Sequence, residues 1–361
     1  MTRRGWRAIT ILSGFLGSGK TTLLRRYLAE QARGDIHVII NEYGAVGIDH
    51  HLARMVEDQS ILLQGGCVCC GRREELVGAL RALLDQKQDC VGAMRQVVIE
   101  TSGLADPVPV MFSLATDPVL RHQFDVPLVV VTLAAIDAEV QIRRYEEVRK
   151  QIIAADRLVI TKSDLTMPQE VARCRVAIRA LNPTARIIVS RFGEAFEALA
   201  PDEGQKDNRR WETVLREPTG LPQPHPHPSV RSTSLAFDTP LDWTGFGVWL
   251  SMLLQVHGPN VLRIKGLLNI GDAGPVVMNV AQHVVHPPEH LPAWPSCDHR
   301  SYLVFITRMI DPGASPIRWR RSSMRRADPI CMSRALAGAD RPVRCDARLE
   351  PTSYTDPNNH R

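Results

Sequence analysis

Nine residues near the start of the chain, Gly14 to Thr22 (GFLGSGKTT), have the types and spacing to hold a chain of phosphates. Gly14, Gly19, Lys20 and Thr21 fill the fixed positions of the spacing G-x-x-x-x-G-K-[ST]. Glycines let consecutive backbone N–H groups turn inward around a phosphate. A helix starting at such a loop adds partial positive charge. The Lys20 ammonium can reach the β- and γ-phosphates, and the Thr21 hydroxyl can hold a magnesium ion. Gly17, Ser18 and Thr22 belong to the same loop and are expected to line the nucleotide. A glycine-rich turn can also be a plain tight connection, but the complete motif argues against that here.

Cys67, Cys69 and Cys70 form a second cluster, within GGCVCCG. Three thiols in four residues cannot share one helix face or one strand face. Gly65, Gly66 and Gly71 flank them, so a loop can wrap them around one centre. In a reducing compartment such a cluster is a metal site more often than a disulfide. Thiolates select zinc or other soft and borderline metals. Three of them leave one tetrahedral position for water, Glu42, a histidine or a client protein, and an open position suits transfer. A reversible Cys–Cys redox pair and a purely structural site are the competing readings.

These groups need a scaffold, and the hydrophobic pattern supplies one. Ala8 to Leu12 reads as a buried strand before the glycine loop. Thr22 to Ala32 reads as a helix with Leu23, Leu24, Tyr27 and Leu28 on one stripe. Ile36 to Ile40 is a second buried strand, and its far end carries Glu42 and Asp49, either of which can serve as a switch-loop metal ligand. A polar loop over the sheet edge is the plainer alternative. Glu74 to Leu84 is an amphipathic helix. Val97 to Ile99 runs into Glu100-Thr101-Ser102-Gly103, which places a carboxylate for magnesium at Glu100 and a γ-phosphate-sensing N–H at Gly103. Asp106-Pro107 caps a following helix.

Leu128 to Leu133 is a further strand, with Asp137 beyond it. Leu158 to Ile160 runs into Thr161-Lys162-Ser163-Asp164. The Asp164 carboxylate can accept from guanine N1–H and from its exocyclic amine, a donor pair that adenine lacks. The Lys162 stem would lie against the ring. Ile187 to Val189 is the last strand of this half, and Ser190 sits where a base-edge backbone contact is expected.

Composition fits a soluble two-domain protein: 361 residues, 44% hydrophobic and 23% charged. The net charge of +5 is concentrated at the end, where Arg308 to Arg361 holds 11 Arg against six acidic residues. Residues 1 to 307 are neutral, which argues against nucleic acid as a partner of the folded part. Arg3, Arg4 and Arg7 before an apolar run mimic a leader, but the run ends inside the glycine loop. No apolar stretch approaches the roughly 20 residues of a membrane span. Nucleotide chemistry and eight unpatterned cysteines point to the cytoplasm.

GFLGSGKTT, NEYGAVGIDHHL, GGCVCC, ETSGLADP and TKSD, in that order, resemble the CobW-type P-loop GTPases. The resemblance spans about residues 7 to 307. It implies a P-loop NTPase of α/β class, with a mainly parallel sheet flanked by helices, plus a small α+β C-terminal domain. It implies a GTP-dependent metallochaperone for zinc, or for cobalt or another divalent metal, serving a client metalloenzyme; a homodimer stays open. Gly14, Gly19, Lys20 and Thr21 would hold phosphate and magnesium, with Glu100 and Gly103 as sensors. Thr161, Lys162 and Asp164 would read guanine. Glu42, Cys67, Cys69 and Cys70 would form the metal region. Ala45 replaces a second acid found in many members.

The expected boundaries are a GTPase domain over 1–200, a linker over 201–228, a second domain over 229–308 and a basic, disordered tail over 309–361. The linker holds Pro222 to Pro228 with His225 and His227, read as a stiff proline spacer before a metal-binding one. The second domain is expected to contain strands Val230 to Phe237, Val261 to Ile270, Val276 to Val285 and Tyr302 to Thr307, and a helix Trp243 to Val256. Arg263 and Lys265 share a strand face, read as a solvated edge before an acid-binding one. Two function classes remain: a slowly hydrolysing GTPase that delivers metal, and a metal-binding regulator or store that uses nucleotide as a structural ligand. A small-molecule kinase is a poorer third.

Overall fold

Unbroken runs of Ile, Val and Leu suit strands buried on both faces, and the first half of the chain is assembled from them. The computed structural model describes residues 7–30, 36–41, 60–63, 73–85, 94–201, 230–271, 274–282, 284–308 and 343–344. The first domain runs β1 (Ala8–Gly14), α1 (Lys20–Glu30), β2 (Ile36–Asn41), β3 (Ser60–Leu63), α2 (Arg73–Asp85), β4 (Gln96–Glu100) and α3 (Val108–Thr116). It continues through α4 (Leu120–Gln123), β5 (Leu128–Ala134), α5 (Ala138–Arg144), α6 (Glu146–Ala154), β6 (Arg157–Thr161), α7 (Pro168–Leu181) and β7 (Arg186–Val189).

All seven strands are parallel, in the order β3-β2-β4-β1-β5-β6-β7. Their C-terminal ends therefore share one edge. The chain fills one side of β1 first and then the other, so the switch point lies at β1, where an open α/β sheet binds ligands. Side-chain alternation divides the core between two layers. Ile9, Ile11, Val97, Ile99, Val129 and Val131 pack on the face of α2, α3 and α5–α7. Leu12, Val38, Val98 and Val130 pack on the face of α1, with Leu23, Leu24 and Tyr27.

The second domain contains β8 (Val230–Phe237), α8 (Trp243–His257), β9 (Val261–Asn269), β10 (Pro275–Ala281), β11 (Val284–Val285), β12 (Glu289–His290), β13 (Ser301–Arg308) and β14 (Val343–Arg344). The sheet order is β11-β10-β9-β13-β8-β14, with β12 also on β10. Only β14 pairs in parallel. The Asp242 carboxylate caps α8 by accepting the Gly245 N–H at 2.9 Å. Phe246, Trp249, Leu250 and Leu253 then pack on Ile264, Leu268 and Phe305. On the opposite face Val230, Leu262, Ala281 and Ile306 join the core of the first domain.

Several expectations change. The strand expected over Val276 to Val285 breaks at Gln282 (φ 51°) into the hairpin β10–β11. β3 was not anticipated. Most other predicted element ends move by one or two residues. Arg263 and Lys265 do share a face of β9, but β9 lies between β10 and β13, and both side chains are buried. The solvated-edge reading of them is wrong. The linker histidines lie outside the described residues, as does the tail apart from β14. Among the described residues no helix is long and apolar enough to cross a membrane.

Candidate functional site

At the switch point β1 turns through the glycine loop into α1. Gly14, Gly17 and Gly19 have φ of 138°, 67° and 91°, a region that side-chain-bearing residues rarely adopt. A Cβ on Gly14 would lie 2.3 Å from the Thr132 carbonyl oxygen. The loop is braced from β5 and β6: Ser18 Oγ and Thr132 Oγ1 are 2.7 Å apart, and the Thr161 hydroxyl donates to the Ser18 carbonyl at 2.6 Å. Lys20 Nζ donates to the Gly14 and Phe15 carbonyls at 2.9 and 3.2 Å. The ammonium is thus already folded across the loop. Backbone cradle, helix N-terminus and lysine together fit a phosphate chain.

The end of β4 meets this loop. Thr21 Oγ1 donates to Glu100 Oε1 at 2.9 Å, with Glu100 buried. Thr101 donates its hydroxyl to Ser13 Oγ at 3.0 Å and its N–H to the Leu12 carbonyl at 2.9 Å. Gly103 packs so closely on the loop that a Cβ there would lie 2.7 Å from the Leu16 backbone nitrogen. Gln151 Nε2, from α6, donates to the carbonyls of Gly103 and Ala105. Asp106 caps α3 by accepting the Val108 N–H at 2.9 Å. Burial pushes its carboxyl above the ordinary range, against the pull of that N–H.

The third part lies past β6 and β7. Lys162 is exposed at φ 55°, and Asp164 is half-buried on the following single turn. Ser163 Oγ donates to the Ser190 carbonyl at 2.9 Å, tying the two strand ends together. Ser190 commits its own N–H to the Ile160 carbonyl, and its hydroxyl accepts from Ala195 N–H. Ser190 therefore shapes the loop here. The Phe192 N–H, two residues on, is directed at Asp164 Oδ1 at 3.5 Å.

Thus the structure brings together Gly14, Gly17, Ser18, Gly19, Lys20, Thr21, Glu100, Gly103 and Thr161, while Thr22 lies in the first turn of α1. Glu42, Cys67, Cys69 and Cys70 lie outside the described residues. Among the described residues, no three His, Cys, Asp or Glu side chains could hold a metal. The strands that lead to them are described: β2 and β3 are neighbours, with Asn41 opposite Leu63. Sequence reasoning missed Thr132 and Gln151. Both act through hydrogen bonds to distant segments, which no local spacing records.

A family profile described as CobW/HypB/UreG, nucleotide-binding domain, matches residues 8–189. The profile of the cobalamin synthesis protein cobW C-terminal domain matches residues 230–318. The zinc chaperone YjiA of Escherichia coli (strain K12) is 31% identical over 306 residues, 83% of this chain and 93% of that protein. The zinc chaperone CobW of Pseudomonas aeruginosa is 31% identical over 218 residues, 52% of this chain and 57% of that protein. The crystal structure of Zn(II)-bound YjiA GTPase from E. coli aligns with a TM-score of 0.58 at 25% identity, covering 84% of this chain and 95% of that one.

Proposed function

Because the chain belongs to the CobW family, with both the nucleotide-binding and the C-terminal domain, we propose that it is a GTP-hydrolysing metallochaperone. It binds zinc, or a similar divalent metal, at Cys67, Cys69 and Cys70 with Glu42, and passes it to a client metalloprotein. The observation that carries the GTPase half is the meeting of Lys20, the Thr21–Glu100 pair and Gly103 at one strand edge. The zinc half is supported by the names of the relatives and by the donor set in the sequence.

Magnesium fits the Thr21 hydroxyl and the Glu100 side, and when bound it neutralises charge on the β- and γ-phosphates. Lys20 and the loop amides stabilise charge on the transferred phosphoryl group. The Gly103 N–H reads whether the γ-phosphate is present. Asp164 and Lys162 select guanine. The sequence names no arginine finger, so intrinsic turnover is expected to be slow until metal, client or a second subunit contributes.

In the sequence Glu42 follows Asn41, the last residue of β2, and Cys67 comes four residues after Leu63, the last of β3; these two strand ends lie on the same edge of the sheet as the phosphate loop. This supports a metal region beside the nucleotide. Steady-state GTP hydrolysis with and without zinc tests the proposal. Turnover that changes with zinc supports delivery. Tight GTP binding with no turnover under either condition supports the regulator or store instead.

A further inference from the structure

Gln151 is a glutamine in the second half of α6, 1% exposed. Its Nε2 donates to the Gly103 carbonyl at 3.1 Å and to the Ala105 carbonyl at 3.0 Å. The opposite amide orientation would set an oxygen against two carbonyls, so the donor assignment is forced by the chemistry. The Gly103 segment is therefore held from two sides. On one side the phosphate loop leaves no room for a Cβ, and on the other a buried side chain grips its carbonyls.

The same helix is gripped again immediately after Gln151. Asn182 Nδ2 donates to the carbonyls of Ile152, Ile153 and Ala155 at 2.8, 3.2 and 2.9 Å. Arg263, from β9 of the second domain, donates Nη1 to the carbonyls of Ile153 and Ala154. Its Nη2 pairs with Asp156. A single turn of backbone thus separates the contact with the Gly103 segment from the contact with the second domain.

We propose that Gln151 is a positioning residue for the γ-phosphate-sensing N–H of Gly103, and that Arg263 steadies it through α6. The C-terminal domain then senses, and helps to set, which nucleotide the first domain prefers. This rests on the reading of Gly103 as the sensor. Hydrogen bonds from Gln151 hold the Gly103 carbonyl, and through the Gly103 Cα they limit where the neighbouring Gly103 N–H sits above the loop. The γ-phosphate is the part of the nucleotide that uses that N–H, so loss of the Gln151 bonds should affect triphosphate and diphosphate unequally.

The test uses the full chain and measures dissociation constants for GDP and for a non-hydrolysable GTP analogue, together with kcat and KM. Q151L removes both donors at similar volume. Its preference for the analogue over GDP should fall about tenfold, as expected for losing a buried pair of hydrogen bonds. GDP affinity should stay within about twofold, and kcat should fall more than KM changes. Q151N keeps the amide but is one methylene shorter; it should fall between wild type and Q151L, and it replaces Q151L if that variant does not fold. R263M should lower the same preference from the other domain. G103A provides the control on the sensor itself. Loss of preference in G103A but not in Q151L overturns the role of Gln151. Wild-type preference in G103A overturns the sensor reading beneath it. Loss in Q151L with none in R263M overturns the part assigned to the C-terminal domain.

Discussion

Asp156 and Arg263 belong to different domains and form a buried ion pair, with Oδ1 and Nη2 2.5 Å apart and side chains 2% and 1% exposed. Lys265 Nζ lies 2.8 Å from the same oxygen. The other carboxylate oxygen accepts the Val129 N–H at 3.0 Å, which fixes Asp156 to the parallel sheet. Two cations on one strand of the second domain thus converge on one anion of the first. Removing one partner from a buried pair leaves an uncompensated charge, at about 3–5 kcal/mol. Asp156→Asn keeps the shape and removes the charge, so it should destabilise the interdomain seat by that amount. Denaturant unfolding checks it, and a change below about 1 kcal/mol would mean that water reaches the pair.

His286 gives the same seam a dependence on pH. It is buried, and among the described residues its Nε2 has no hydrogen-bond partner. Burial, reinforced by nearby Arg263 and opposed by Asp156, depresses its pKa from 6.5 to about 4. The unfolded chain takes up a proton near pH 6.5 and the folded chain does not. Stability from this group is therefore full above pH 6.5 and declines as pH falls towards 4. The loss approaches roughly 3 kcal/mol, from about 1.4 kcal/mol per unit. Thermal melts at pH 7.5, 6 and 5 should show the decline, and His286→Gln should flatten it over that window. An identical slope in the variant would assign the effect elsewhere.

The contrast between these two groups and the phosphate loop explains what the sequence alone could reveal. Lys20 and Thr21 announce themselves because their spacing is tied to a local geometry, a strand turning into a helix. Leu158 to Ile160 and its neighbours were readable because buried parallel strands are uniformly apolar. Asp156 and Arg263 stand 107 positions apart, and neither sits in a motif. Arg263 and Lys265 looked solvated because alternation with charge is the usual mark of an exposed face; a carboxylate on another domain reverses that. Gln151 reads as one more polar position in a helix beginning EEVRK. β3 has only four residues, too few for a periodic signal.

Base selection is predicted to depend on the charge of Asp164. A carboxylate accepts from both guanine donors, while an amide offers one acceptor and one donor pair. Asp164→Asn should weaken GTP binding by about a hundredfold, from the loss of two charge-assisted bonds. Xanthosine triphosphate carries a carbonyl where guanine carries its amine, so the variant should bind it better than the wild type does. Competition titrations with the two nucleotides measure both effects. GTP affinity equal to wild type would remove Asp164 from the base pocket.

Metal binding is predicted to separate cleanly from nucleotide binding. Replacing Cys67, Cys69 and Cys70 together by Ser removes every thiolate of the proposed zinc site, and a hydroxyl is a poor zinc ligand at neutral pH. The variant should lose tight zinc binding while its GDP affinity stays within about twofold, since none of the three belongs to the phosphate loop. In the unaltered chain, zinc titrated with and without a non-hydrolysable GTP analogue should give different dissociation constants. The described strands β2, β3 and β4 all end on the edge where Gly103 meets the loop, and on the proposed reading the γ-phosphate would act from there on the thiolates. A delivery device also needs its grip to change at some step of the cycle. Equal constants with GTP analogue, GDP and no nucleotide would leave hydrolysis unconnected to metal release, and the protein would then be a zinc store that happens to bind GTP.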